Sequence, residues 1–169
     1  SEFKRIFGRE SGGLTHTYER EDAETVIVAL GSVLGTIKDT VDEMRARGVK
    51  IGVLGISCFR PWPTVAVRAA LAQAKRVVVL EKSLAVGLGG IVSNNVSAAY
   101  PGSPDDVHTV IAGLGGRAIT RGTLQVVFAY TPYDELERLG LRPATQAEAR
   151  RAATQLTGML VVQDVQPGS

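Results

Sequence analysis

Short apolar runs alternate with stretches of helical periodicity along the first three quarters of the chain. The first run, at 25–31, is apolar on both faces and rich in β-branched residues, which is typical of strands covered on both faces in a parallel sheet. The pattern therefore predicts four strands, in the segments TVIVALG (25–31), VKIGVLGI (49–56), RVVVLEK (76–82) and the stretch that starts at Asp105.

The segments between these runs have apolar residues at helical spacing and charged or polar residues on the other side. Pro63 is placed to begin the second helix, because the first helical position needs no N–H donor. Residues 120–157 are predicted to form three short helices, with a short strand in the final MLVVQDVQPGS segment. The predicted inward positions are Leu34, Ile37, Val41 and Met44 in the first helix, Val67, Ala70, Leu71 and Ala74 in the second, and Ile91, Val92, Val96 and Ala99 in the third.

Strands that alternate with helices through short connections form right-handed βαβ units and a parallel sheet. We therefore predict an α/β three-layer sandwich with a mostly parallel sheet and a C-terminal helical extension. The expected division is an N-terminal linker or vector-derived segment at 1–22, the α/β domain at 23–130 and the helical extension at 131–169. The polar start without Met suggests a piece of a longer protein.

Composition narrows the function classes. A net charge of +2 with 5% aromatic residues does not favour nucleic-acid binding. No apolar run approaches the roughly 20 residues of a membrane span. The single cysteine, Cys58, excludes an internal disulfide and an iron–sulfur or zinc–thiolate site built from this chain alone. A reducing, cytoplasmic setting is the expectation.

Three glycine-rich loops follow predicted strands, at 31–35, 87–90 and 113–116. Ligands of open α/β sheets bind at such strand ends. However, the chain contains no Gly-Lys-Ser/Thr sequence, and Val92 stands where a dinucleotide fingerprint aligned on Gly87 requires glycine or alanine. The favoured interpretation is that these glycines permit tight turns and close helix packing.

Other candidate residues are ambiguous. Glu81 and Lys82 end the third strand with side chains on opposite faces, which favours a polar strand end at an interface. Arg60 lies in a loop fixed by prolines. Two roles are equally compatible with this position, namely contact with an anion or partner carboxylate, and packing and hydrogen bonding within the domain. Structural roles are expected for three further residues, namely Cys58 as a small core thiol, His16 in the linker and His108 on a strand.

The order of the motifs resembles the C-terminal region of the alpha subunit of pyruvate:ferredoxin oxidoreductase (pyruvate synthase) and related 2-oxoacid:ferredoxin oxidoreductases. The resemblance covers about residues 7–130. Its most specific pieces are Phe59-Arg60-Pro61 followed by Pro63, Glu81-Lys82-Ser83, the Gly87-x-Gly89-Gly90 loop, Gly113-Leu114-Gly115-Gly116-Arg117 and the entry segment FGRESGGL.

This resemblance implies a domain similar to the transketolase C-terminal domain, which shapes assembly and interfaces. The parent enzyme would use thiamine diphosphate and magnesium to convert a 2-oxoacid to an acyl-CoA. It would pass electrons through iron–sulfur clusters to ferredoxin, and would be an oligomer. The resemblance places the thiamine and substrate contacts in a preceding domain, so no catalytic or cofactor-binding residue is assigned here. The candidate interface or anion-contact residues are Arg60, Lys82, Gly87, Gly89, Gly90 and Arg117.

Two other interpretations stay open at this point. One is a stand-alone nucleotide- or coenzyme-binding module that uses the glycine loops with Lys82, Arg60 and Arg117. The other is the C-terminal domain of a different thiamine enzyme, such as a 2-oxoacid dehydrogenase or a deoxyxylulose synthase.

Overall fold

The computed structural model describes residues 2–9, 12–85, 88–128 and 159–161. Within these ranges six strands and five helices follow one another along the chain. They are α1 (Glu2–Phe7), β1 (Thr15–Tyr18), β2 (Thr25–Leu30), α2 (Val33–Arg45), β3 (Ile51–Ile56), α3 (Thr64–Leu71), β4 (Arg76–Glu81), α4 (Ile91–Ala99), β5 (Val107–Ile111), α5 (Arg121–Phe128) and β6 (Met159–Val161).

The strands form one sheet in the order β1-β3-β2-β4-β5-β6. The strands from β2 to β6 are parallel, and β1 alone pairs antiparallel, with β3. The chain leaves β2 toward β3 on one side and then crosses to β4 on the other. Ile56 pairs with Leu30, and Glu81 pairs with Ile111, so the carboxyl ends of these strands lie at one edge of the sheet.

Two layers of helices cover the two faces of the sheet. One hydrophobic cluster packs α2 and α5 on one face, with Ile37 and Leu124 fully buried. The other packs α3 and α4 on the opposite face, with Val67 and Val96 fully buried. Both faces of β2 and β4 are thereby removed from water, which is why these strands are continuously apolar. The predicted three-layer α/β sandwich is confirmed.

The predicted helix faces agree with the structure at nearly every position. The inward residues of the first helix are all buried. Ile91 is the exception, because 37% of it is exposed at the start of α4 and it lies outside both clusters. The prediction that Ile91 faces inward is therefore wrong. No helix in the described ranges is long and apolar enough to cross a membrane.

The sequence placed residues 15–18 in a linker, but they form β1. This strand extends the sheet beyond β3, with Thr15 opposite Ile56 and Tyr18 opposite Val53. The Tyr18 hydroxyl donates to an oxygen of Asp42 on α2 at 2.8 Å, and Lys38 lies over the Tyr18 ring. A polar edge strand has one exposed face and lacks the apolar run that marks the central strands.

The C-terminal part of the prediction is only partly within the described residues. Helix α5 is confirmed as the first of the three predicted pieces, and Met159–Val161 confirms the predicted late strand by pairing parallel with β5. The other predicted helical pieces, in 129–157, lie outside the described residues. The domain boundaries at 22 and 130 stay predictions.

Candidate functional site

Most of the candidate residues lie at the carboxyl edge of the sheet. Arg60 follows β3, Lys82 follows β4, and Arg117 follows β5. Gly89 and Gly90 stand between β4 and α4 at the same edge, whereas Gly87 lies outside the described residues. In open α/β sheets this is the edge where ligands and partners bind.

The centre of this edge contains a buried carboxylate. Only 3% of Glu81 is exposed. Its Oε2 accepts a hydrogen bond from the backbone N–H of Val92 at 3.0 Å, and its Oε1 accepts from the backbone N–H of Ser93 at 2.9 Å and from Ser93 Oγ at 2.6 Å. These N–H groups belong to the first turn of α4, where helical N–H groups lack internal partners. Glu81 therefore binds the end of strand β4 to the N-terminus of α4.

The two described glycines of this loop are needed for different reasons. Gly89 has φ of +80°, the left-handed region that favours glycine, and open space around its α-carbon. Gly90 has an ordinary φ of −78°, but a β-carbon there would overlap Glu81 Oε1 and lie 2.7 Å from Ser93 Oγ. The loop is thus built around the Glu81 carboxylate, as an internal substitute for an external anion.

Sequence reasoning missed this role of Glu81. The available signal was an acidic residue at the end of an apolar strand, followed by a Gly-Gly pair and a helix that lacks its own capping side chain. Acidic groups are favoured at helix N-termini by the unpaired N–H groups and the helix dipole. A carboxylate supplied by the preceding strand performs the function that an N-cap residue normally has.

Lys82 is exposed and lies beside the loop that follows β5. A methyl group on Gly113 would be 3.1 Å from Lys82 Cε and 3.1 Å from Ile119 Cγ1. The aliphatic stem of Lys82 therefore crosses from the β4 loop to the β5 loop, and leaves its ammonium group at the surface. Arg117 lies in the same β5 loop, with its backbone N–H 3.4 Å from the Leu114 carbonyl.

Arg60 stands in an aromatic loop after β3. Its guanidinium carbon lies 3.9 Å from the centre of the Phe59 ring, and Nη1 donates to the Phe59 carbonyl at 2.9 Å. Phe59 meets Trp62 edge-on at 5.7 Å, and both pack against the cluster under α3 and α4. The Cys58 thiol, half-buried, donates to the Arg60 carbonyl at 3.2 Å. Stacking leaves Arg60 exposed with a fixed orientation.

The two histidines stand apart from the candidate residues. His16 lies on β1, not in a linker, with its ring over Gly55 and Nδ1 3.3 Å from Ser57 Oγ. Burial and the neighbouring Lys38 charge lower the pKa of His16. His108 lies on β5 as predicted, and burial together with Arg76 lowers its pKa.

The donor groups of the described residues do not fit an iron–sulfur cluster or a magnesium ion, two of the groups that the resemblance implies. An iron–sulfur cluster requires four protein ligands, usually thiolates, and this chain has one cysteine. Across the described ranges, no group of three histidine, cysteine or acidic side chains is placed to hold a metal ion such as the magnesium that accompanies a diphosphate. No catalytic or cofactor-binding step is therefore derived from this chain.

Similar proteins share both the sequence and the fold. This chain is 35% identical over 147 residues to pyruvate synthase subunit PorA of Methanothermobacter thermautotrophicus, which covers 86% of this chain and 38% of that protein. It is 42% identical over 123 residues to the same subunit of Methanosarcina barkeri, covering 70% of this chain and 30% of that protein. The chain thus spans about a third of these relatives.

Two solved structures share the fold. One is the 2-oxoglutarate:ferredoxin oxidoreductase of Magnetococcus marinus, with a TM-score of 0.54 and 20% identity over 73% of this chain and 20% of that one. The other is a split-gene transketolase, with a TM-score of 0.51 and 17% identity over 67% of this chain and 41% of that one. These likenesses confirm the transketolase-like fold.

The family match decides between the thiamine enzymes that the sequence left open. Residues 23–124 match the sequence pattern described as pyruvate:ferredoxin oxidoreductase core domain II. This range runs from the turn before β2 into α5, and so contains the carboxyl edge from β2 to β5. The chain belongs to the pyruvate:ferredoxin oxidoreductase core domain II family.

Proposed function

We propose that this domain is a non-catalytic assembly domain of a thiamine diphosphate-dependent 2-oxoacid:ferredoxin oxidoreductase. The parent enzyme would decarboxylate a 2-oxoacid oxidatively, form an acyl-CoA and reduce ferredoxin. The domain would hold neighbouring domains or subunits in place through the carboxyl edge of its sheet. Arg60, Lys82, Gly89, Gly90 and Arg117 lie at that edge.

The match of residues 23–124 to core domain II carries this proposal. The relatives it resembles are themselves named as subunits of pyruvate synthase. Magnesium and the iron–sulfur clusters would lie in other domains or subunits, because the donor groups of the described residues do not fit them, and thiamine diphosphate would lie with the magnesium. We propose a cytoplasmic complex, since thiols are kept reduced there.

The alternative of a nucleotide-binding module is disfavoured by the geometry of α4. A phosphate at a helix N-terminus is bound by the first N–H groups. Here Val92 and Ser93 already donate theirs to Glu81, and Gly90 has no room for even a methyl group beside that carboxylate. The loop that most resembled a phosphate cradle is occupied by a side chain of the same chain.

The test uses the full-length parent protein with its partner subunits. We expect the complex to reduce a viologen dye in the presence of coenzyme A and a 2-oxoacid. Deletion of residues 23–128 should abolish both the reduction and the assembly of the other parts. If the complete complex reduced no dye with any 2-oxoacid, the enzyme assignment would be wrong. If the deleted protein still assembled, the assembly role would be wrong.

A further inference from the structure

We propose that the carboxyl edge is a docking surface for an acidic, partly apolar segment of a neighbouring domain or subunit. We call this surface the basic edge and define it by Arg60, Lys82, Leu84, Leu88 and Ile91. The inference rests on the proposed assembly function and adds the chemistry of the partner. Three observations support it. They are the distribution of charge between the loops, the lack of carboxylate partners for Arg60 and Lys82 among the described residues, and the exposed apolar side chains.

Acidic residues are absent from the four loops that follow β2 to β5, whereas the chain before the antiparallel strand β1 contains Glu2 and Glu10. The segments that follow β2 to β5, at 31–32, 57–63, 82–90 and 112–120, contain no aspartate or glutamate. The cations of these segments are Arg60, Lys82 and Arg117. Glu81, the acidic residue at the end of β4, is buried and bonded to α4. The basic edge therefore attracts negative charge.

The opposite edge shows the contrasting arrangement. Taken together, the segments that precede β2 to β5 contain both signs of charge, and their acidic residues, which precede β2 and β5, are Glu19, Glu21, Asp22, Glu24, Asp105 and Asp106. Overall the chain has 19 basic and 17 acidic residues. Because the whole chain is nearly balanced in charge, its composition does not explain why the charged residues in the loops after β2 to β5 are all basic.

Three cations near the opposite edge have carboxylate partners within the domain. Lys75 and Lys50 both pair with Glu24, at 3.1 and 3.5 Å, and Arg45 pairs with Asp22 at 2.6 Å. Arg60 and Lys82 have no carboxylate within ion-pair distance among the described residues. Both are nevertheless held in position, Arg60 by the Phe59 ring and Lys82 by its stem over Gly113. Positioned cations without internal carboxylates suit the carboxylates of a partner.

The loop that carries Lys82 also exposes apolar side chains. Leu84, Leu88 and Ile91 are 39%, 63% and 37% exposed. The Asn94 side-chain amide donates to the Leu88 carbonyl at 3.1 Å and so connects Leu88 to α4. Exposed apolar groups beside a cation are typical of protein interfaces rather than of small-anion sites. This combination favours a polypeptide that offers aspartate or glutamate beside apolar residues.

Carbodiimide cross-linking tests the contact directly, since it joins an ammonium group to a carboxylate that touches it. In the assembled parent complex we expect mass spectrometry to find Lys82 joined to an aspartate or glutamate outside residues 1–169. The Lys75–Glu24 pair, at 3.1 Å, is the internal control for the chemistry. If Lys75–Glu24 forms in a complete complex and Lys82 stays unlinked, the proposal is overturned while the assembly function stands.

Charge reversal provides the second measurement. Lys82→Glu with Arg60→Glu should weaken assembly by about tenfold at about 50 mM salt, and much less at about 500 mM, where surface charges are screened. Arg47→Glu with Lys75→Glu is the matched control at the opposite edge and should leave assembly unchanged. Equal effects of the two pairs would overturn the proposal.

A titration with inorganic phosphate distinguishes the docking surface from a site for a small anion. In the purified chain, about 20 mM phosphate, well above the millimolar range of a weak anion site, should leave the amide signals of Lys82 and Gly89 in place. A saturable shift that Lys82→Gln removes would instead identify a small-anion site and overturn the docking surface. A parent complex that never incorporates this domain would refute the assembly function itself, so the two failures are distinguishable.

Discussion

Glu81 and Ser93 are joined by two hydrogen bonds to one carboxylate oxygen, from the Ser93 backbone N–H at 2.9 Å and from its hydroxyl at 2.6 Å. The bonds connect the end of the central strand β4 to the first turn of α4, and leave no room at Gly90 for a side chain. The glycine loop between them therefore serves to fold a strand onto a helix around an internal anion.

The first prediction concerns Glu81→Gln. The amide keeps one acceptor but turns a donor toward N–H groups that already donate, inside a buried site. Hydrogen bonds to a charged group contribute about 1.5–3 kcal/mol each, so we expect a loss of about 2–4 kcal/mol in the free energy of unfolding. Urea unfolding followed by circular dichroism measures it.

Ser93→Ala should have a smaller effect than Glu81→Gln, because it removes only the hydrogen bond from the hydroxyl. We expect it to lower the free energy of unfolding by about 1–2 kcal/mol. Ser83→Ala, an exposed serine of the same loop, should be neutral and is the control. A Glu81→Gln protein as stable as the wild type would show that the carboxylate does not hold α4.

Replacement of Gly89 and of Gly90 by alanine should destabilise the domain by different amounts and for different reasons. Gly89→Ala should cost about 1–2 kcal/mol, from a positive φ alone. Gly90→Ala forces the Glu81 carboxylate away from α4, so its cost should be larger and should overlap with that of Ser93→Ala. A double-mutant cycle measures the overlap. Strict additivity of Gly90→Ala and Ser93→Ala would contradict the shared site.

The sequence predicted the central sheet well, since each strand from β2 to β4 is an apolar run covered on both faces. Helix faces followed from spacing for the same reason, as at Ile37 and Val67. Ile91 failed because, at 3.6 residues per turn, it lies about 100° around the helix from Val92 and about 140° from Val96, away from the face that those residues bury. The role of Glu81 was missed because two of its three donors are backbone N–H groups, of Val92 and Ser93. The sequence records such bonds only indirectly, through the acidic strand end and the Gly-Gly pair that follows it.

The edge strand β1 was also missed, and the reason is local. Thr15–Tyr18 is polar and short. Besides its pairing with β3, its side-chain contacts include the His16 ring over Gly55 and the hydrogen bond from the Tyr18 hydroxyl to Asp42. Hydrophobic patterns in a sequence reveal strands that are buried, and none of the residues of this strand is fully buried. The candidate cations were placed correctly at strand ends, because topology alone brings the carboxyl ends of parallel strands to one edge.

The contact between His16 and Gly55 yields a third prediction. A β-carbon on Gly55 would overlap the His16 imidazole, so Gly55→Ala should lower the free energy of unfolding by about 1–3 kcal/mol. His16→Ala should recover most of that loss in the double variant, since the ring is what the methyl group meets. Denaturant titration of the single and double variants measures this. No recovery in the double variant would place the strain elsewhere.

Stability should also depend on pH through the histidines. Burial, with Arg76 nearby, holds the pKa of folded His108 below the ordinary value of about 6.5, and Asp106 opposes this only in part. The unfolded chain then binds the proton more tightly. The stability from this difference is complete above about pH 6.5 and is lost as the pH falls from that value through the lower pKa of the folded state.

We therefore expect the urea midpoint to fall between pH 7.5 and pH 5.5. His108→Gln should flatten this dependence, and adding His16→Gln should flatten it further, because the pKa of His16 is lowered as well. The acidic groups with lowered pKa values, Asp22 beside Arg45 and Glu24 beside Lys75, act at lower pH. An unchanged slope in the double variant would refute the histidine explanation.

The central claim is that this domain assembles a larger oxidoreductase. Size-exclusion chromatography with light scattering, on the purified chain mixed with the remaining subunits of the parent complex, tests it most directly. We predict a co-eluting species whose mass is the sum of its parts, and a larger fraction of separate peaks with Lys82→Glu and Arg60→Glu at low salt. A chain that stays a monomer, indifferent to those subunits, would contradict the account.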